Sequence, residues 1–182
     1  MLSNSKDQWG WISITLHWLT AVLILGLAMV GLLMTELPNS PFKMQIYAMH
    51  KSFGLTVLVL TLLRLAWRFI AGRPDQLLES GRLQTLAAKA VHGALYALLL
   101  AMPLSGWLYN SASGFALKWF GLITLPKLFT GFNPTVKAFA LASHETLFYI
   151  LAAVLLIHAG AALWHHYAKH DHTLNRMLGK TL

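Results

Sequence analysis

The sequence predicts an all-α integral membrane protein: a bundle of four transmembrane helices with both termini on the cytoplasmic side. Composition points there first. The 182 residues are 57% hydrophobic and 11% charged, less than half the roughly 25% charge of an ordinary soluble domain. Mean hydropathy is +0.58. Second, apolar runs at about 11–34, 47–70, 86–109 and 141–167 are each long enough to cross a hydrocarbon core of about 30 Å. Third, the basic residues are sorted. Lys6, Arg64, Arg68, Arg73, Arg82, Lys89, Lys169, Arg176 and Lys180 fall around the N-terminus, the second connection and the C-terminus. With four spans these segments share one side, and the positive-inside rule makes it cytoplasmic. The whole chain, 1–182, reads as one membrane domain.

The net charge of +8 is therefore mostly topology and not a nucleic-acid footprint. No cysteine is present, which excludes thiolate ligands, iron–sulfur clusters and covalent c-type haem, and leaves histidine as the metal ligand. The first apolar run is too long for a signal-peptide core and lacks a small-x-small cleavage site, so no cleavable leader is expected. The opposite side carries Lys43, Lys51, Lys118, Lys127 and Lys137 against Glu36 and Glu145. Two readings apply to those lysines: scattered solvated charges, or a funnel that draws in a small anion.

In the first run, TLHWLTAVLILGLAMVGLLM, His17 lies near the cytoplasmic end, with Trp9, Trp11 and Trp18 at interfacial depth. Gly26 and Gly31 are wrongly spaced for a GxxxG packing motif. Pro38 and Pro41 are expected to end this helix and form a short outer connection. The second run opens with MHKSFGL, placing His50 near the outer surface, and closes with Arg64 and Arg68. Gly54 lies one turn past His50, where it leaves room for a flat macrocycle or allows close helix packing. A polar connection with Pro74 spans 72–81, and the third run carries His92 near its inner end and Pro103 inside it. Residues 110–140 form the longest outer segment, and GFALKWFGLITLPKLF is expected at the interface.

The fourth run, Leu141–Tyr167, is almost purely apolar in its middle yet holds His144, His158, His165 and His166. Ionisable groups in a spanning helix are costly and count as functional candidates. His144 and His158 are fourteen residues apart, close to four whole turns, so they share a face about 21 Å apart. Topology then supplies partners. His50 and His144 both lie on the outer side, and His17 and His158 on the inner side. Two bis-histidine b-haems, stacked in a bundle core, need such a set of four. Any one histidine has a plainer reading as an interfacial or capping imidazole, but matched depths favour ligation. Zinc would need three or four ligands at one level, and the outer level offers two histidines plus Glu145. His92 competes with His17 as partner of His158. His165 reads either as an interfacial histidine or as a hydrogen-bond donor to a quinone carbonyl.

The stretches SITLHWLTA, MHKSFG, RLAWR, HGALYALLLAMPLSGWL, SHETL, HAGAALWHHY and DHTLNRML resemble the bacterial cytochrome b561 family. They cover all four spans. The resemblance implies a four-helix diheme b-type cytochrome of the bacterial inner membrane. It implies His17 and His158 as ligands of the inner haem, and His50 and His144 as ligands of the outer one. His165 falls where a family member has a histidine implicated in quinone binding; the histidine at the position of His92 is not a ligand in that member. The best-characterised bacterial activity in the family is superoxide:ubiquinone oxidoreduction, which implies superoxide as donor outside and ubiquinone as acceptor in the membrane. Two other functions compete: a quinone-linked cytochrome b subunit that relays electrons from a soluble redox partner, and a haem-free metal or ion transporter.

Overall fold

The computed structural model describes residues 1–75 and 81–180. Residues 76–80, half of the polar connection expected at 72–81, lie outside the described residues. The elements in order are α1 (Trp11–Glu36), α2 (Pro41–Ala71), α3 (Arg82–Ala112), β1 (Leu117–Trp119), β2 (Ile123–Leu125), α4 (Pro134–Tyr167) and α5 (Thr173–Met177). The helices α1 to α4 are each long and apolar enough to cross a membrane.

Three helices start earlier than their apolar runs suggest, and two of these starts are set by capping chemistry. Pro41 does not belong to the connection. It occupies the first turn of α2, where its missing N–H costs nothing, and Ser40 caps the helix by accepting from Lys43 N at 3.2 Å. Asn133 caps α4 in the same way, accepting from Val136 N at 3.0 Å, with Pro134 in the first turn. Polar first turns carry no hydropathy signal, so the apolar runs understate both helices. The third, α3, starts at Arg82 after Gly81, which makes no side-chain cap.

Part of the segment expected at the interface folds into a hairpin. β1 pairs antiparallel with β2, Trp119 opposite Ile123. Phe120 and Gly121 both take positive φ, 49° and 74°, as the tight hairpin turn between twisted strands requires. Ser52 of α2 holds the turn. Its hydroxyl accepts from Phe120 N at 3.0 Å, while Trp119 Nε1 donates to Thr56 Oγ1 at 3.1 Å. Phe53 packs edge-on against Phe120. The hairpin therefore sits on the N-terminal half of α2, against Ser52, Phe53 and Thr56.

Both termini and the start of the α2–α3 connection meet at the other end. Asn4 Nδ2 donates to Gly72 O at 2.9 Å and Asp75 N to Lys6 O at 2.7 Å. Arg176 donates to Asp7 O at 2.6 Å and to Asp75 O at 3.0 Å, and Trp18 Nε1 to Met177 O at 2.8 Å.

Within the bundle, close backbone packing among the described residues joins α1 to α2, α2 to α3 and α3 to α4. The buried centre is Ile24, Val57, Leu98, Leu99 and Leu151, flanked by Leu147, Val154 and Leu155. On α4 these residues fall between His144 and His158, so an apolar plug separates the two histidine levels. Outward-facing Val22, Leu25, Met29, Leu62, Leu63, Leu156 and Ile157 are exposed, as side chains that meet lipid should be.

Candidate functional site

Each end of the bundle brings two imidazoles together from helices that are not close-packed. At the hairpin end, His50 of α2 and His144 of α4 have ring centres 6.4 Å apart, with planes at 73°. At the end where both termini meet, His17 of α1 and His158 of α4 have ring centres 6.2 Å apart, with planes at 64°. Metal–imidazole bonds of about 2 Å, plus about 1 Å from nitrogen to ring centre on each side, place the ring centres of a trans pair roughly 6 Å apart. Both pairs have that spacing. Among the described residues, no group of three or more His, Cys, Asp or Glu side chains is placed to hold a bare metal ion. A pair of opposed imidazoles suits an iron whose other four ligands come from a macrocycle.

The surroundings fit a flat group as well. A Cβ on Gly54 would meet nothing within 4 Å, so this glycine marks open space beside His50 and not a close helix contact. Gly31 of α1 backs His50: a Cβ there would lie 3.3 Å from Cε1. Gly106 of α3 backs His144 at 3.4 Å from Cε1. These two glycines were missed from sequence; the available signal was a glycine at histidine depth on each adjoining helix. His144 is further held by Ser105 Oγ at 2.9 Å and the Met102 carbonyl at 3.2 Å, both from α3. Such outer contacts fix the ring and its tautomer.

The inner level is more crowded. His92 of α3 also approaches His158, with ring centres 5.4 Å apart. Arg64 Nη2 lies 2.8 Å from His17 Nδ1. Arg64 and Arg68 both lie over the Tyr96 ring, at 5.6 and 5.7 Å. The only ion pair found among the described residues is His165 with Asp171, so these guanidinium groups have no carboxylate partner there.

His165 is close to neither pair. Its Nδ1 contacts Asp171 Oδ2 just past the end of α4, and Asp171 Oδ1 accepts from Thr173 N at 2.9 Å. Burial pushes the Asp171 carboxyl up, but hydrogen bonds from Thr173 and His165 outweigh it, leaving Asp171 below its ordinary range. His166 lies against Tyr167. Glu145 is exposed on α4.

Four of the five lysines expected on the outer side have partners. Lys43 Nζ donates to the carbonyls of Thr35 and Leu37, Lys127 Nζ to Gly114 O, and Lys51 Nζ to Asn110 Oδ1. Lys137 lies over Tyr109 and Phe132. These partners are uncharged, so the contacts fix the lysines' positions and leave the positive field in place.

Four membrane-crossing helices with facing imidazoles at both ends define a class of protein, the membrane-embedded b-type cytochromes. The sequence model of the prokaryotic cytochrome b561 family matches residues 8–180, and the chain belongs to that family. It is 33% identical to cytochrome b561 homolog 2 of Escherichia coli (strain K12) over 180 residues, covering 98% of this chain and 95% of that protein. It is 32% identical to cytochrome b561 homolog 1 of the same organism over 166 residues, or 91% and 93% of the two chains. It is also 26% identical to the probable superoxide oxidase CybB of Yersinia pestis over 171 residues, or 93% and 94%. The protein is thus a multi-pass cytochrome of the bacterial inner membrane, binding haem b and serving electron transport.

Proposed function

We propose that this cytochrome carries electrons across the membrane through two haems, oxidising superoxide outside and reducing ubiquinone inside. The observation that carries the reading is the paired spacing, 6.4 Å for His50 and His144 and 6.2 Å for His17 and His158. Bound haem supplies one-electron redox chemistry at each level; the chain supplies axial nitrogens, separation and local charge. Along α4 the two levels are about 21 Å apart, a gap that haem held by His50 with His144 and by His17 with His158 would shorten.

Both termini face the cytoplasm on this reading, because the end where they meet also carries Lys6, Arg73, Arg82, Lys169 and Arg176. The opposite, outer end holds the uncancelled lysines, which favour an anionic donor. Two superoxide anions give up two electrons and leave as dioxygen. One ubiquinone takes those electrons with two protons from the inner side, and His165 is read as a hydrogen-bond donor to its carbonyl.

His17, not His92, is assigned to His158, since 5.4 Å is short for a trans pair. The Arg64 contact at 2.8 Å opposes this only if it persists. A guanidinium donates, so Nδ1 accepts here and the ring proton sits on Nε2. A ring that ligates through Nε2 needs Arg64 to turn elsewhere, and a haem propionate is the stronger partner.

Haem content and reduced-minus-oxidised spectra of the purified protein test the reading, followed by rapid mixing with superoxide in the presence of quinone. Two haems per chain, both reduced by superoxide and reoxidised by quinone, are expected. No reduction by superoxide, together with stable co-purification of a soluble dehydrogenase, would instead make it a relay subunit. Absence of a b-type band would return the histidines to metal or ion transport.

A further inference from the structure

Lys51 follows His50 on α2 and lies six residues from Val57 in the buried centre. That is about 9 Å along the helix, inside the roughly 15 Å of half a hydrocarbon core. A cation at such depth normally faces the bundle interior and has a partner there. Lys51 is half-buried, and its Nζ donates to Asn110 Oδ1 of α3 at 3.1 Å. Asn110 is 4% exposed, and its Nδ2 donates to Phe115 O at 2.9 Å. The amide is thereby fixed with its oxygen turned to the lysine. An ammonium has three N–H donors, and this amide is its only hydrogen-bond partner among the described residues. The only ion pair found among them is His165 with Asp171. A half-buried positive charge is therefore steered by a neutral group and left without a counter-ion.

Its position suits one particular anion. Gly106 of α3 backs the His144 ring, where a Cβ would lie 3.4 Å from Cε1. Asn110 is four residues further along α3, about 6 Å more distant from the buried centre. The ammonium thus stands one helical turn beyond the facing imidazoles, toward the hairpin end. Haem b carries both its carboxylates on short arms at one edge of the ring. Turning that edge into the apolar plug would bury an unpaired carboxylate, which is costly. Turned the other way, the carboxylates extend past the iron on the lysine's side. A charge-assisted bond of this kind is roughly twice as strong as one between neutral groups.

We propose that Lys51, positioned by Asn110, pairs with a propionate of the haem held by His50 and His144. This rests on the two-haem reading above.

Redox-difference infrared spectroscopy of the full-length protein, with an isotopic label in the haem carboxylates, tests the pairing without turnover. Lys51→Met should keep both haems but shift the labelled carboxylate band of one of them. It should also lower that haem's midpoint potential, since a nearby positive charge is lost. Lys51→Arg should restore both readouts towards wild type. Asn110→Asp gives the lysine a rival carboxylate and should shift the same band with the lysine still present. That variant decides the matter should Lys51→Met lose haem. A labelled band unchanged in Asn110→Asp, or in Lys51→Met with both haems bound, overturns the proposal. A wild-type potential that moves when chloride is exchanged for nitrate at constant ionic strength would assign the site to a free anion and overturn it too. Fewer than two haems in the purified wild type would overturn the two-haem reading itself, a result that haem content alone reveals.

Discussion

Gly31 and His50 face each other across the α1–α2 contact so closely that a Cβ on the glycine would lie 3.3 Å from the imidazole Cε1. That is tighter than ordinary van der Waals contact, so a side chain here must push the ring or be pushed. A methyl group can be absorbed by a few tenths of an ångström. A branched side chain cannot, since helix packing leaves little slack. Gly31→Val should therefore remove most of the outer haem signal from the reduced spectrum and spare the inner one, while Gly31→Ala should retain both. Gly106→Val should behave likewise through His144, where the corresponding distance is 3.4 Å.

The inner pairing is open to direct comparison. His17→Ala should abolish the inner haem, whereas His92→Ala should retain it with a shifted potential. The reverse result, read by haem content and redox titration, would reassign the ligand to His92. Arg64→Gln should keep the inner haem but lower its midpoint potential, because loss of a nearby positive charge favours ferric iron. Arg64→Lys should recover part of that shift.

Asp171 gives a pH prediction with a definite sign. Its carboxyl titrates below the ordinary value of 3.8 in the folded chain. The stability it contributes is present above that value and is lost as pH falls through the lowered one. Thermal melts of the detergent-solubilised protein should therefore lose stability on acidification below about pH 4, where free carboxylates protonate. Asp171→Asn should be less stable at neutral pH and lose that component of the acid dependence. A variant with the wild-type acid profile would count against the assignment.

Ser52 should matter to the hairpin more than its size suggests. Removing its hydroxyl loses the part-buried bond from Phe120 N–H, at a cost of about 0.5–1.5 kcal/mol. Ser52→Ala should lower the melting temperature and increase protease cleavage near residues 117–125, with haem content unchanged at moderate temperature.

The lysine reading is tested by rate. Lys51→Met and Lys118→Met should each slow reduction by superoxide and weaken its dependence on ionic strength, without altering haem content. Equal rates at all salt concentrations would leave the outer lysines a structural role only.

The sequence carried much of this because lipid imposes a strong rule. Backbone groups in the bilayer must bond internally, so long apolar runs become helices, and α1 to α4 follow from hydropathy. The fourteen-residue interval between His144 and His158 survives because helical rise is constant. Other features depended on contacts that no linear spacing encodes. Pro41 reads as a breaker but acts as a start, a distinction made by the capping oxygen of Ser40. The hairpin at 117–125 needed Ser52 and Thr56, more than sixty residues away in sequence, to hold it. Gly31 and Gly106 gain meaning only from the ring each one faces.

The apolar plug of Ile24, Val57, Leu98, Leu99 and Leu151 has an electrical consequence. It offers no chain of polar groups along which a proton could accompany an electron between the two levels. An electron passing inward would then move as bare negative charge toward the negative side of an energised membrane. Each full crossing works against about 2.3 kcal/mol per 100 mV. Such transfer would charge the membrane like a small battery, and membrane voltage would in turn slow or reverse it.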